Sequence, residues 1–376
     1  ASSDRPSRPA THRASRRPGW RVLSALGLIV AAAIAVPVAF VATASSGPNR
    51  VDASRNATAR PSSSALSVTV PTVAETIAVG QSPSYVQVAP DGEFAYIANP
   101  GAHTVSVLDT ADDEVSRVIH ITEGPPQFVS FSPDGRTAYV SVYNTRSTVH
   151  LIAFIDTATG TVTSTVSVNN RTPGPSASSP DGRYLYVPNH NMEMGGANEN
   201  LLDVIDTASK KLIDTIAVPA NPHWVAFGKN GQIYVTNHMS TVVTVLNASN
   251  NSVMKEIEVG ETPHSEALSP DGSRLAVTSY NGNEVYVVST ATDQEIARIP
   301  VGRNPLDIAY SPDGRYLYTV NNEDNTVTVI DVADNRVIGE VPTGTAPTSI
   351  SVLPNGRQAY VTDENDGTVE VLNLTN

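Results

Sequence analysis

The tripeptide Pro-Asp-Gly recurs along the chain, and its spacing limits the fold more than any other feature. Full copies stand at Pro90-Asp91-Gly92, Pro133-Asp134-Gly135, Pro180-Asp181-Gly182, Pro270-Asp271-Gly272 and Pro312-Asp313-Gly314. Degenerate copies stand at Lys229-Asn230-Gly231 and Pro354-Asn355-Gly356. The seven copies lie 41 to 49 residues apart, a period that signals a propeller or a solenoid. Asp-Gly and Asn-Gly are hairpin turns, because Gly takes positive φ without steric cost and Asp or Asn tolerates it. Each turn precedes a short strand such as 232–236, then a polar loop, then an alternating strand such as 326–331. An Asp, Asn or Ser turn and a fourth strand, such as 211–218, complete the unit. Four short strands per repeat predict a propeller blade.

The register within the repeats is strict. A proline lies eight residues before the Asp or Asn of every turn: Pro83, Pro126, Pro173, Pro222, Pro263, Pro305 and Pro347. The innermost strand of each blade starts after it. The third residue beyond the proline is mostly branched (Val86, Val129, Ser176, Val225, Glu266, Ile308, Ile350) and is expected between blades. The fourth is mostly small (Gln87, Ser130, Ala177, Ala226, Ala267, Ala309, Ser351) and allows close approach near the axis. The last repeat stops at its third strand, 368–374, while an orphan strand at 73–80 precedes the first repeat. Pairing the two closes the ring and removes two open sheet edges. Residues 72–376 therefore read as one all-β domain, a seven-bladed β-propeller of four-stranded antiparallel blades.

Tyr234-Val235-Thr236-Asn237, with the variants Tyr318-Thr319-Val320-Asn321 and Tyr360-Val361-Thr362-Asp363, resembles the YVTN-type β-propeller repeat. That resemblance implies the fold. Such propellers include surface-layer proteins, sensor domains, binding scaffolds and a few enzymes, so function has to come from the site.

The first seventy residues differ in kind. Residues 1–21 are basic, with six arginines against Asp4, and residues 22–44 are uncharged and apolar. That stretch is long enough to cross a bilayer as a helix. The arginines place the N-terminus in the cytoplasm and the propeller outside. Ala42-Thr43-Ala44 is also an A-x-A cleavage pattern, and Ser15-Arg16-Arg17 resembles a twin-arginine export signal. The expectation is a single-pass anchor with an extracytoplasmic propeller, or secretion after cleavage near Ala44. Residues 45–71 read as a flexible linker. The chain begins with Ala, so it can be a piece of a longer receptor whose sensor is the propeller. Residues 1–60 carry nine Arg and two Asp, whereas the rest carries 15 basic and 35 acidic residues. A body with a balance of −20 argues against a nucleic-acid partner. Without cysteine there are no disulfides, thiolate metal sites or cysteine nucleophile.

Residues that depart from their column of the repeat need another reason. The first position after the inner-strand proline reads Ser84, Gln127, Gly174, His223, His264, Leu306, Thr348. The second strand ends in Asn99, Val142, Asn189, Asn237, Ser279, Asn321 and Asp363. The next residue reads Pro100, Tyr143, His190, His238, Tyr280, Asn322, Glu364. Both positions lie on one face of the disc, since strand direction alternates within a blade. His190, His223, His238 and His264 are thus expected together at the channel mouth of blades 3–5. Trp224, Tyr143 and Tyr280 are expected beside them. Glu266, two residues from His264, is expected on the same side of its strand. Met192, Met194 and Met239 stand near these histidines in sequence.

Imidazole binds zinc or copper, thioether favours Cu(I), and a carboxylate such as Glu266 can complete the sphere. A Cu or Zn ion is therefore one reading of the cluster. A metal-assisted lyase or a lactonase-like enzyme is a related one, although no nucleophile elbow or P-loop is present. The reading adopted is a binding scaffold rather than an enzyme. It would be a monomer presenting this mouth to a protein, glycan or small-molecule ligand outside the membrane. The Pro-Asp-Gly aspartates and those ending third strands, such as Asp156, read as turn formers.

Overall fold

A computed structural model describes residues 70–144, 149–169, 172–190, 200–219 and 221–374. The basic segment, the apolar stretch 22–44 and nearly all of the linker lie outside the described residues. The repeats fold as seven antiparallel sheets, and no helix occurs among the described residues. Six sheets have four strands, and blade 3 has five because its inner strand is split into Thr172–Pro173 and Ala177–Ser178. The inner strands of the other blades are Tyr85–Val88, Pro126–Phe131, Pro222–Phe227, Pro263–Leu268, Pro305–Tyr310 and Pro347–Val352. The expected prolines open five of the seven inner strands, where a missing N–H costs least, and Pro173 is the second residue of the split one.

The turns form as their chemistry dictates. In Ser132-Pro133-Asp134-Gly135, Asp134 accepts from Ser132 Oγ at 2.6 Å and from the Arg136 amide at 3.1 Å, and Gly135 has φ 70°. Asp181, Asp271 and Asp313 repeat the pattern. Hydrogen bonds to Ser269 and Ser273 pull Asp271 down to about 2. Asp156 likewise accepts from the Thr159 amide and hydroxyl, each at 2.8 Å. These aspartates are turn residues.

The ring closes through the orphan strand. Thr72–Ala78 pairs with Thr368–Asn373 as the outer strand of blade 7, and Ala78 lies opposite Thr368 while Thr72 lies opposite Asn373. Val79 carries the closure into blade 1, where its carbonyl accepts from Ser106 Oγ at 2.5 Å and Asn99 Nδ2 at 3.4 Å. Antiparallel order puts the second-to-third-strand loops on the face from which the inner strands start. We call it the mouth face. The Pro-Asp-Gly turns lie on the opposite, turn face. The closing strand therefore enters, and the last strand leaves, at the turn face. Val70, just before it, packs among the blade 6 and 7 residues Ile338, Ile350 and Leu372.

Packing follows the columns. The third-position residues are only 1–8% exposed and lie between neighbouring blades. Blades 4 and 5, for example, share a core of Tyr234, Val243, Val245, Ile257, Leu275, Val277 and Tyr286. The second position after the proline faces the channel. Tyr85 of blade 1 meets Phe128 of blade 2 at 5.5 Å and Trp224 of blade 4 at 5.8 Å. Contact between blades 1 and 4 spans the ring, so these three aromatics fill part of the axial channel.

Candidate functional site

The mouth face carries a cleft of about 830 Å³ over blades 4 and 5. His223, His238, Met239, His264 and Tyr280 line it together with Tyr143 from blade 2. The three imidazole centroids lie 4.2 Å (His223–His264), 5.2 Å (His223–His238) and 5.1 Å (His238–His264) apart. The repeat brings them together. His223 and His264 occupy the first position of adjacent inner strands, and His238 follows the second strand of blade 4. Tyr280 stacks on His264 at 5.8 Å and its hydroxyl accepts from Asn304 Nδ2 at 3.1 Å. Burial pushes the Tyr143 phenol up to about 12, so it stays neutral. Met239 is half exposed at the rim.

His223 and His264 also hold blades together. His223 Nδ1 contacts the His264 carbonyl at 3.1 Å, and His264 Nδ1 contacts the Leu306 carbonyl at 2.7 Å. A carbonyl only accepts, so both rings carry their proton on Nδ1. Ser84 Oγ makes the same bond to the Gln127 carbonyl at 2.8 Å. The two histidines thus do the work of a hydroxyl in this column and add an imidazole face to the cleft. His238 differs. Burial holds its pKa below the usual imidazole value, partly offset by the Pro263 backbone. Its Nδ1 is buried and makes no hydrogen bond of normal geometry.

Glu266 does not join His264. A bulge between Pro263 and Glu266 resets the alternation of the inner strand. Glu266 is 3% exposed, is felt by Tyr234 of blade 4 and is absent from the cleft lining. Burial raises its pKa well above the usual carboxylate value, and the Ala226 amide eases this only in part. Neither carboxyl oxygen makes a hydrogen bond of normal geometry. Glu266→Val, which restores the branched column, is expected to stabilise the protein by about 1–3 kcal/mol. Thermal melts at neutral pH check this, and a lower midpoint would show that the carboxyl has a partner.

Trp224 sits below the cleft, against Tyr85 and 6.2 Å from His223. His190 ends the second strand of blade 3, opposite Thr172. Met192 and Met194 lie outside the described residues. Among the described residues, no group of three or more His, Asp or Glu side chains is placed to hold a metal ion.

Several cleft residues gave no strong signal in the sequence: Asn221, Ser240, Thr241, Glu261, Thr262, Asn281 and Leu306. Leu306 shares the column of His223 and His264, and that column was the available clue. A second buried acid was also missed. Asp307, 3% exposed, accepts from Ser265 Oγ at 2.9 Å, Ser349 Oγ at 2.8 Å and the amides of Ile308 and Ile350 at 2.8 and 3.0 Å. It ties blades 5, 6 and 7 together around the channel.

The family described as lactonase, 7-bladed beta-propeller, matches residues 57–177 and 300–376, more than half of the chain. His223, His238, His264 and Tyr280 fall between the two matched segments. Over 88 residues the chain is 36% identical to Antigen Lp49 of Leptospira interrogans. That stretch is 23% of this chain and 19% of the relative, so the match spans about a fifth of the relative's length. Among solved structures, a chain of Kuenenia stuttgartiensis hydrazine synthase superposes with a TM-score of 0.68 at 22% identity. The overlap covers 78% of this chain and 95% of that one, and at that identity it shows the fold alone.

Proposed function

The chain belongs to the lactonase family of seven-bladed β-propellers, and from that premise we propose that it is an extracytoplasmic binding propeller whose ligand seats in the mouth cleft of blades 4 and 5. One observation carries this reading: three imidazoles from two blades meet within 4.2–5.2 Å in a cleft of about 830 Å³. The cleft combines aromatic faces with a few convergent polar groups, as small-ligand sites do. Its central residues lie outside the segments the family matches, so they speak for a feature of this chain rather than for the family's activity. The N-terminal arginines and the apolar stretch 22–44 support placement outside the membrane.

A metal ion is the second reading. Nδ1 bonds from His223 and His264 to carbonyls are the kind of support that metal-ligating imidazoles receive. The lack of a converging group among the described residues weighs against it.

The test is a thermal-shift and calorimetric screen of the full chain in detergent against saccharides, lactones, short peptides, Cu²⁺ and Zn²⁺. A hit is repeated with His238→Ala, which leaves in place the Nδ1–carbonyl bonds of His223 and His264 that tie the blades together. The expected result is at least about a tenfold loss of affinity, equivalent to about 1.4 kcal/mol, with little change in melting temperature. Binding that ignores His238→Ala and His264→Ala would place the ligand elsewhere. Turnover of a lactone in the same screen would make the cleft catalytic, with neutral His238 as the base.

A further inference from the structure

On the turn face, the seams between blades are clasped near the rim. The turn after each third strand of blades 1–6 carries a residue in the left-handed region: Asp113, Gly160, Lys210, Asn251, Asp293 and Asn335, with φ between 50° and 68°. Side chains of the preceding blade reach that turn. Tyr360 Oη and Gln358 Nε2 donate to Asp113 at 2.6 and 3.2 Å. Arg117 donates to the Thr157 and Ala158 carbonyls at 3.3 and 3.4 Å. Tyr186 Oη donates to Asn251 at 2.7 Å, and Lys255 pairs with Asp293. Arg274 donates to the Val332 carbonyl and to Asn335, each at 3.0 Å. Between blades 6 and 7, where the closing strand takes the place of such a turn, Val70 packs on Gly339.

The seam between blades 2 and 3 departs from this. Its turn residue is Lys210, at φ 54°, a conformation less favourable for lysine than for Gly or Asn. An ammonium only donates, so Tyr139, the counterpart of Tyr186 and Tyr360, finds no acceptor there. Four residues beyond the turn residue, blades 1, 3 and 4 have Arg117, Asp214 and Lys255, whereas blade 2 has Ser164. The Ser164 Oγ is buried without a hydrogen bond of normal geometry. Lys210 reaches back instead, with Nζ 3.3 Å from Thr163 Oγ1 and 5.7 Å from the Phe154 ring centroid. Among the described residues it makes no ion pair. A pocket of about 360 Å³ opens at this seam, and Asp134, Tyr139, Phe154, Thr163, Asp181 and Lys210 are on its walls.

Opposite charges thus share one pocket. Bonds from Ser132 and the Arg136 amide, and from Ser179 and the Arg183 amide, hold Asp134 and Asp181 below the usual carboxylate range. Those bonds fall on Oδ1 of each residue. Arg136 Nε stands 3.9 Å from Asp134 Oδ2, beyond hydrogen-bond reach. Burial pushes the Tyr139 phenol up to about 12, so it keeps its proton. Phe154 meets Tyr139 edge-on at 5.0 Å and makes an aromatic wall.

We propose that this unclasped seam is a binding pocket for a small zwitterion, a free α-amino acid. The ligand carboxylate lies on Lys210 Nζ, its ammonium on Oδ2 of Asp134 and Asp181, and its side chain against Phe154 and Tyr139. A simple anion would meet two carboxylates, and a simple amine would meet Lys210, so a ligand with both charges fits best. The left-handed lysine and the missing clasp keep the pocket open, as strain held at a functional site does. The pocket lies on the opposite face from the imidazole cleft and does not depend on it.

Calorimetric titration of the full chain in detergent with each proteinogenic L-amino acid tests this, and at least one should bind saturably. Lys210→Met, which keeps an unbranched side chain without the charge, should weaken that binding by at least about tenfold. The N-acetyl derivative and the decarboxylated amine of the same amino acid should each bind the parent at least about tenfold more weakly. Lys210→Asn, which restores the residue of blades 4 and 6, should abolish binding and raise the melting temperature. Its carboxamide can receive the Tyr139 hydroxyl as Asn251 receives that of Tyr186. Absence of saturable binding by every amino acid overturns the pocket. So does an affinity that Lys210→Met leaves unchanged, or an N-acetyl derivative that binds as well as its parent compound. A melting temperature lowered by Lys210→Asn overturns the missing clasp.

Discussion

Deleting residues 72–79 is expected to break the ring rather than trim it. The deletion removes the outer strand of blade 7, and with it the Val79 carbonyl that receives Ser106 and Asn99 of blade 1. About six register positions lose their partners. At about 1 kcal/mol net per backbone hydrogen bond, the loss is on the order of 3–6 kcal/mol. Val79, 7% exposed and part of the core with Val86, Ile97 and Val369, adds about 1.5–3 kcal/mol. That sum rivals the whole stability of a typical domain. The strand Thr368–Asn373 would also become a bare edge, which templates pairing with another chain. Light scattering after size exclusion should therefore show oligomers or aggregate, together with a broadened, less cooperative melt. A monomer that melts as sharply as the parent would mean that closure contributes little.

Asp307→Ala is the second large expected loss, and its sign opposes that of Glu266→Val. Both acids sit on inner strands and are equally buried. Glu266 has only the weak Ala226 amide contact to lose. Asp307 is the common acceptor of two serine hydroxyls and two amides from three blades. Removing it orphans the buried Ile308 and Ile350 amides at about 1–3 kcal/mol each, and the serines add less because they can re-aim. A total of about 3–5 kcal/mol corresponds to a fall in melting temperature of about 5–8 °C for a propeller of this size. Asp307→Asn should fall between parent and Ala, since an amide keeps one acceptor oxygen and turns a donor toward the other hydrogens. Equal melting temperatures for Ala and parent would show that the four donors find other partners.

The contrast between these acids shows what a repeat does and does not reveal in sequence. The columns gave the blade count, the closing strand and the meeting of His223, His238 and His264, because each depends only on register and on strand alternation. Glu266 escaped because the inner strands of blades 2, 4, 5, 6 and 7 carry a bulge after the opening proline that breaks that alternation, and nothing in Pro263-His264-Ser265 announces it. Asp307 escaped for another reason. Its side-chain partners Ser265 and Ser349 each lie 42 residues away, one blade to either side. The pairing shows only when adjacent repeats are read against one another. The channel aromatics needed more still, since Tyr85 and Trp224 meet across the ring, a contact that no neighbouring-blade pattern encodes.

The entry of the closing strand at the turn face has a practical side. Val70 before it and Leu374 after the last strand both leave the disc on the side away from the imidazole cleft. A reporter or surface linker joined directly at Val70 or Leu374 would therefore hang beneath the disc with the cleft upward. A propeller starting at residue 70 can be immobilised on a sensor chip or displayed on a particle by one of these points, and a dye on the other would not obstruct capture.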